Sequence, residues 1–245
     1  MSVVLRANAK LTWSLRVVGV RDDGYHLIDA EMVTLDLADS VTVTPAPETT
    51  LAVSGPFGAG VPTDATNLVV RALAAVGVTA HVHVDKQIPS GGGLGGGSAD
   101  AAAILRWAGV DDPDVAAALG ADVPFCVVGG RARVTGIGEV VEPLPVVTRT
   151  VTLVVPPLHV STPAVYRAWD QLGGSRADGR NGLEPAAIAA EPQLAGWRDR
   201  IAELSGQLPR LAGSGSTWFV EGRRDNALAA LSGEGATVVV CRTAP

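Results

Sequence analysis

Residues 86–105, KQIPSGGGLGGGSADAAAIL, place six glycines in the seven positions 91–97 and then run straight into alanines. Glycine loses more backbone freedom on folding than any other residue, so such a run persists only where bare backbone is needed. The stretch before it, AHVHVDKQIP, alternates as a strand does, with Val82 and Val84 on one face and His81 and His83 on the other. The alanine-rich stretch 99–108 is a strong helix former. Glycines between a strand and a helix start can turn several backbone N–H groups onto one point, beside the positive end of the helix dipole. That is a phosphate cradle, with Ser98 as the candidate N-cap. A flexible linker has no reason to be framed by Pro89 and an abrupt helix start. A P-loop needs Gly-Lys-Ser/Thr, and no lysine follows these glycines. Gly91, Gly93 and Gly96 spell G-x-G-x-x-G, but GVDDPDVAA reads as a turn and helix start, and no second strand ends in an acidic ribose ligand.

A chain of 245 residues, 47% hydrophobic and 4% aromatic, can bury a core built mainly of Val, Ala, Leu and Ile. No apolar run approaches the roughly 18–20 residues that span a bilayer. The first residues lack the basic head, apolar middle and cleavage site of a signal peptide. Cys126 and Cys241 stand far apart without metal-site spacing and read as buried small hydrophobes. These features predict a cytoplasmic protein. The net charge of −6 argues against nucleic acid or a membrane as partner, while leaving room for an anionic small molecule where local positive groups prevail. Of 19 basic residues only Lys10 and Lys86 are lysine. In a chain so biased to arginine, these two positions call for a compact ammonium rather than a planar fork.

Strands are predicted from VVLRANAKLTWSLRVVG, from two halves of DGYHLIDAEMVTLDLADSVTVTPA around a polar break, and from TVTLVVPPLHVS. LAVSGPFGAGVPTDATN reads as a loop or hairpin, NLVVRALAAVG as a helix stopped by Gly77, DPDVAAALG as a short helix, and ADVPFCVVGGRARVTGIGEVVEPLP as strand-like around turns. Later come helices TPAVYRAWDQLG and AGWRDRIAELSG, a polar loop GSRADGRNG, two strands about a glycine turn in PRLAGSGSTWFVEG, then helix RDNALAALSGEG and strand ATVVVCRT. This mixture without strict βα alternation predicts a two-part α+β fold, 1–145 and 146–245, with the boundary near 143–149.

IPSGGGLGGGSADAAA resembles the phosphate loop of the kinase superfamily named for galactose, homoserine, mevalonate and phosphomevalonate kinases. ANAKLTWSLRVVGVRDDGYHLIDAEM, TNLVVRAL, LGADVPFCVVGGRARVTGIGE, VVPPLHVSTPAVYRAWD, NGLEP and LAGSGSTWFV resemble, in order, landmarks of the branch that phosphorylates a cytidine diphosphate derivative of methylerythritol. The resemblance implies the two-domain GHMP kinase fold, with an N-terminal part like domain 2 of ribosomal protein S5 and a ferredoxin-like C-terminal part. It implies ATP-dependent phosphoryl transfer to a 2-hydroxyl, with Asp122 facing that hydroxyl and Lys10 beside it. A carboxylate is a poor base for an alcohol, but a loose phosphoryl transition state needs little early proton removal. The expected role of Asp122 is therefore to orient the hydroxyl and take its proton late.

By the same resemblance, Asn67 borders the adenine and Lys86 lies near the nucleotide. Pro89, Gly91, Gly92, Gly93, Leu94, Gly95, Gly96, Gly97, Ser98 and Ala99 form the ATP phosphate loop. Thr12, Tyr25 and His26 meet the substrate, the last two at its cytosine, with residues 160–166 closing that pocket. Gly213, Ser214 and Gly215 form a second phosphate-facing turn. Mg2+ is expected to be held mainly through nucleotide phosphates, with no protein metal site, and the chain is expected to be a monomer or weak homodimer. Three positions depart from the family pattern: Thr12 replaces an asparagine, Gly182 an aspartate and Ala99 a serine. The alternatives are a sister kinase acting on another small alcohol and a non-catalytic nucleotide-binding paralogue. Tyr25 and His26 speak against the first, Lys10 and Asp122 against the second.

Overall fold

The computed structural model describes residues 1–174 and 180–245; part of the predicted loop GSRADGRNG lies outside them. Two long alternating strands, β1 (Val3–Val20) and β2 (His26–Pro45), pair antiparallel across the turn 21–25. Gly24 makes that turn possible, taking φ +86° and donating its N–H to the Arg21 carbonyl. The polar residues Asp36 and Asp39 do not break β2 into two strands. The strand is continuous: the register slips at Asp36, between the pairs Asn8–Ala38 and Lys10–Thr34, while Asp39 stays paired with Ala7. A bulge absorbs the mismatch while the ladder continues on either side.

The other edge of β2 serves three partners in turn. β5 (Arg131–Gly136) lies opposite 28–33, β10 (Thr237–Ala244) opposite Thr34 and Leu35, and β4 (Ala80–Asp85) opposite 40–45. β3 (Thr50–Ser54) runs parallel to β4, so the stretch expected to be only loop or hairpin begins as an edge strand. β6 (Val140–Leu144) pairs with β5. In the second half β7 (Thr150–Val155) lies between β10 and β9 (Trp218–Glu221), and β9 pairs with β8 (Arg210–Leu211). Because β10 bonds to both β7 and β2, the described strands form one continuous sheet.

The first half carries α1 (Leu68–Ala75), α2 (Gly96–Trp107), α3 (Pro113–Leu119) and α4 (Val123–Val128). The second carries α5 (Thr162–Gln171), α6 (Glu184–Ala190), α7 (Gln193–Ser205) and the short α8 (Asp225–Leu228). α2 packs on β1, β2, α1 and α4, and its alanines 99 and 101–103 are buried with Ile104 and Leu105. Small side chains let a central helix approach on every side. VPFCVV, strand-like in composition, is instead the helix α4; Pro124 sits in its first turn, where a missing N–H costs nothing, and its apolar side chains bury against α2. Among the described residues no helix is long and apolar enough to cross a membrane.

A second apolar cluster joins Ala9, Leu11 and Trp13 of β1 to Val151, Leu153, Phe219 and Cys241 of the second half. Ile88 and Leu94 are buried in the same cluster. The glycine segment is therefore anchored just before its start, at Ile88, and at its centre, at Leu94, in apolar packing shared by the two halves.

Candidate active site

The glycine run is a packed turn. Gly91, Gly93 and Gly95 take φ of +76°, +74° and +71°, values that side-chain-bearing residues adopt only with strain. Gly93 faces the turn 213–215, and Gly92 faces Thr217 and Val155. A Cβ on Gly92 would lie 2.7 Å from Thr217 Oγ1, and one on Gly93 2.7 Å from the Gly215 carbonyl oxygen. Thr217 Oγ1 donates to the Gly92 carbonyl at 2.6 Å. On the other side the Lys10 N–H donates to the Leu94 carbonyl at 3.0 Å. Gly95 is the N-cap of α2, so Ser98 is the third residue of the helix and not its cap. The left-handed glycine ends the turn and lets the helix begin earlier than its alanines suggest.

Gly95→Ala is expected to destabilise the fold. Its Cβ would sit 2.8 Å from Lys10 Cγ on a backbone at φ +71°. Strain of this kind costs about 1–3 kcal/mol, a fall in Tm of roughly 2–12 °C for a chain of this size. A thermal melt matching wild type would show that the turn has another low-energy shape.

Two cavities open on this turn. One of about 270 Å³ is lined by Asn67, Lys86, Pro89, Asp100 and the loop 90–97. The other, about 630 Å³, is lined by Lys10, Thr12, Tyr25, His26, Ser98, Asp122, Tyr166, Gly213 and Ser214, among others. Gly93 lines both.

In the larger cavity Lys10 Nζ lies 3.3 Å from Asp122 Oδ2 and donates to Thr12 Oγ1 at 3.3 Å. Asp122 occupies the N-cap position of α4 but makes no capping bond, so its carboxylate is available to the cavity. At the far end the His26 ring stacks on Tyr166, centroids 4.6 Å apart, and meets Trp169 edge-on at 5.4 Å. His26 Nε2 pairs with Asp170 Oδ1 at 2.8 Å. Burial, helped by the Asp122 charge, pushes the Tyr166 hydroxyl up to about 12, so this ring stays neutral. Tyr25 is exposed at the rim, under the Arg21 guanidinium.

The structure thus brings Lys10, Thr12, Tyr25, His26, Asp122, Gly213 and Ser214 to one cavity and the glycine loop to its neighbour. Ala99 is buried in the core and lines neither cavity, and Gly215 backs the turn behind Gly93. Asn67 borders the smaller cavity, but its amide is engaged: Oδ1 accepts from the Val69 N–H and Nδ2 donates to the Pro62 carbonyl. Lys86 is buried on two carboxylates, Asp39 and Asp100. Ser214 Oγ and Thr162 Oγ1, 2.8 Å apart, join the glycine turn to the start of α5. His81 and His83 are exposed, bonded to Thr50 and Ser54 of β3. Sequence reasoning missed Asp39, Asp100 and Asp170. One signal existed for Asp100, a lone carboxylate inside an alanine helix.

Residues 65–130 match the family model of the N-terminal domain of GHMP kinases. The 4-diphosphocytidyl-2-C-methyl-D-erythritol kinase of Paracoccus denitrificans is 40% identical over 232 residues, 87% of this chain and 84% of its own. That of Dinoroseobacter shibae is 41% identical over 246 residues, 87% and 83% of the two chains. A crystal structure of 4-(cytidine 5'-diphospho)-2C-methyl-D-erythritol kinase superposes with a TM-score of 0.78 at 31% identity, covering 99% of this chain and all of that one. Homoserine kinase from Cytophaga hutchinsonii, 17% identical with a TM-score of 0.62 over 99% and 94% of the two chains, shares the fold.

Proposed function

The chain belongs to the family of 4-diphosphocytidyl-2-C-methyl-D-erythritol kinases, and from that premise we propose that it transfers the terminal phosphoryl group of ATP to the 2-hydroxyl of that cytidine substrate. The observation that carries the reading is the Lys10–Asp122 pair, open to the larger cavity whose wall includes Gly93 of the glycine turn. ATP phosphates sit in the glycine cradle and the acceptor alcohol in the larger cavity. The acceptor oxygen forms its bond to phosphorus as the bond to the ADP oxygen breaks, and the hydroxyl proton passes to Asp122. Lys10 stabilises negative charge on that carboxylate and on the moving phosphoryl group. Thr12 Oγ1, accepting from Lys10, keeps the ammonium directed there in place of the family's asparagine amide.

The cytosine lies at the aromatic end, against Tyr166 and His26, with Tyr25 covering it from the rim. Among the described residues no group of three or more His, Cys, Asp or Glu side chains could hold a metal ion. Mg2+ would be carried by the nucleotide's phosphate oxygens, whose charge it would offset. Gly182, where the family carries an aspartate, donates its N–H to the Leu15 carbonyl at 2.8 Å, and a Cβ there would meet only ordinary contacts. The departure leaves this backbone link intact.

Coupled ADP release with the cytidine substrate, run beside homoserine and mevalonate, tests the reading. Turnover with the first alone is expected, and equal turnover with another alcohol would overturn it. Tyr25→Ala is expected to raise KM for the cytidine substrate roughly ten- to hundredfold, from a stacking contribution of about 1–3 kcal/mol. The KM for ATP should stay put. A KM change shared by both substrates would remove Tyr25 from base recognition.

A further inference from the structure

Beneath the glycine turn one ammonium serves two carboxylates. Lys86 Nζ bonds both Asp39 and Asp100, and all three side chains are at most 6% exposed. Asp39 is saturated: it also accepts from the N–H groups of Gln87 at 2.5 Å and Ile88 at 2.8 Å. Asp100 is not. Its Oδ2 accepts from Lys86 at 2.6 Å, while its Oδ1, sealed from solvent, has no hydrogen-bond partner among the described residues. Asp100 and Lys86 both line the cavity on which the glycine backbone opens. With both acids ionised the trio carries one net negative charge, directly behind a cradle meant for a polyanion. A buried charged oxygen without a donor is costly, and phosphates arriving beside it make it costlier.

We propose that Asp100 is a nucleotide-binding residue that acts in its neutral form: on binding, its side chain turns the buried Oδ1 toward the cavity it lines, where Oδ1 takes up a proton and donates it in a hydrogen bond to a phosphate oxygen of the nucleotide. The proposal rests on reading the smaller cavity as the nucleotide site. One O–H bond forms on Asp100, no bond in the nucleotide breaks, and binding takes up one proton.

The surrounding charges agree with this. Burial pushes the Asp100 carboxyl up to about 7, with the Lys86 ammonium pulling it down and the Asp39 carboxylate pushing it up. Burial opposes the Lys86 charge, but Asp100 and Asp39 outweigh it and hold this ammonium above its ordinary range, so Lys86 is not the proton source. From α4 comes Cys126, whose thiol burial pushes up to about 12 and keeps neutral. β1 contributes Lys10, whose stem runs past Gly95 and whose ammonium is paired with Asp122. On α1, Arg71 is turned away to the Ala118 carbonyl, and α3 offers only the exposed Asp114 at its start.

Calorimetry of ATP binding with Mg2+, repeated in buffers of different ionisation heat at about pH 8, reads the proton directly, since an acid titrating near 7 is mostly ionised there before binding. Uptake approaching one proton is expected for the wild type. Asp100→Asn, a permanently neutral donor, should lose that uptake. The wild-type affinity should fall by up to tenfold per pH unit above about 7, and the variant's should stay flat. The nucleotide's own phosphate titration is common to both chains, so their difference isolates Asp100. Should the variant not fold, the wild type alone decides: its infrared difference spectrum on adding nucleotide must gain a protonated carboxyl band. Equal uptake in the two chains, or no such band, overturns the proposal while leaving the kinase reading standing. Absence of any nucleotide binding, together with no turnover, overturns both.

Discussion

Asp122→Asn is expected to lower kcat by about two to four orders of magnitude while the protein melts within a few degrees of wild type. The two halves of that result come from different features. For stability, the Asp122 side chain is 33% exposed, makes no capping bond to α4 and has one ionic partner, Lys10 at 3.3 Å. Such partly solvated pairs contribute little to folding. For catalysis, asparagine keeps the shape and can still hydrogen-bond the acceptor hydroxyl, but it cannot receive the proton. It also strips Lys10 of its counter-charge just where the phosphoryl group passes. Since Asp122 lines the larger cavity and not the one at the glycine loop, the KM for ATP should hold. Lys10→Met should lose a comparable factor, and the double variant little more than either, because the two groups act as a unit. Wild-type kcat in Asp122→Asn would remove the residue from the reaction, and an effect confined to KM would make it a binding group.

Features that depend on neighbours in the chain were legible in the sequence. The glycine loop announces itself because positive φ and close backbone approach have few other solutions, and the alternation of His81, Val82, His83 and Val84 gives the half-buried β4 that is found. Features decided by partners far along the chain were not. VPFCVV has strand propensity, and only packing on α2 makes it helical. Asp36 looks like a break because nothing local shows that residues 35–37 of β2 bulge against Ala9 of β1 while the ladder continues on either side. Ser98 looks like a cap because nothing local says that Gly95, at φ +71°, has already served. The same holds for charge. Nothing local marks Asp39 or Asp170, which meet Lys86 and His26 across 47 and 144 residues of sequence. Lysine scarcity flagged Lys10 and Lys86 correctly as special, and could not say that one ammonium opens on a cavity while the other is locked between two carboxylates.

That distinction makes Lys86→Met the more severe change for folding. Methionine fills much of the same space but leaves Asp39 and Asp100 facing each other in a dry interior. Breaking a buried pair by deleting one partner costs about 3–5 kcal/mol, a fall in Tm of roughly 6–20 °C for a chain of this size. The pH dependence carries the sign. The Lys86 ammonium holds the Asp100 carboxyl down against burial and the Asp39 charge, so without it Asp100 titrates still further above its unfolded value and the folded variant holds more protons than the unfolded chain. Its stability is then greatest in acid, below the ordinary carboxyl range, and is lost as pH rises through the raised value. In the wild type Asp100 already sits at about 7, so part of this slope exists there, and removing Lys86 steepens it. Urea unfolding at about pH 5 and pH 8 should therefore show a deficit that widens toward the higher value. Adding Asp39→Asn to Lys86→Met should recover part of the loss, and the resulting cycle isolates the pair. A Lys86→Met protein that melts like wild type but has lost affinity for ATP would mean the ammonium reaches the nucleotide itself. A protein that unfolds early, steeply so at higher pH, would make Lys86 the support on which the phosphate loop rests.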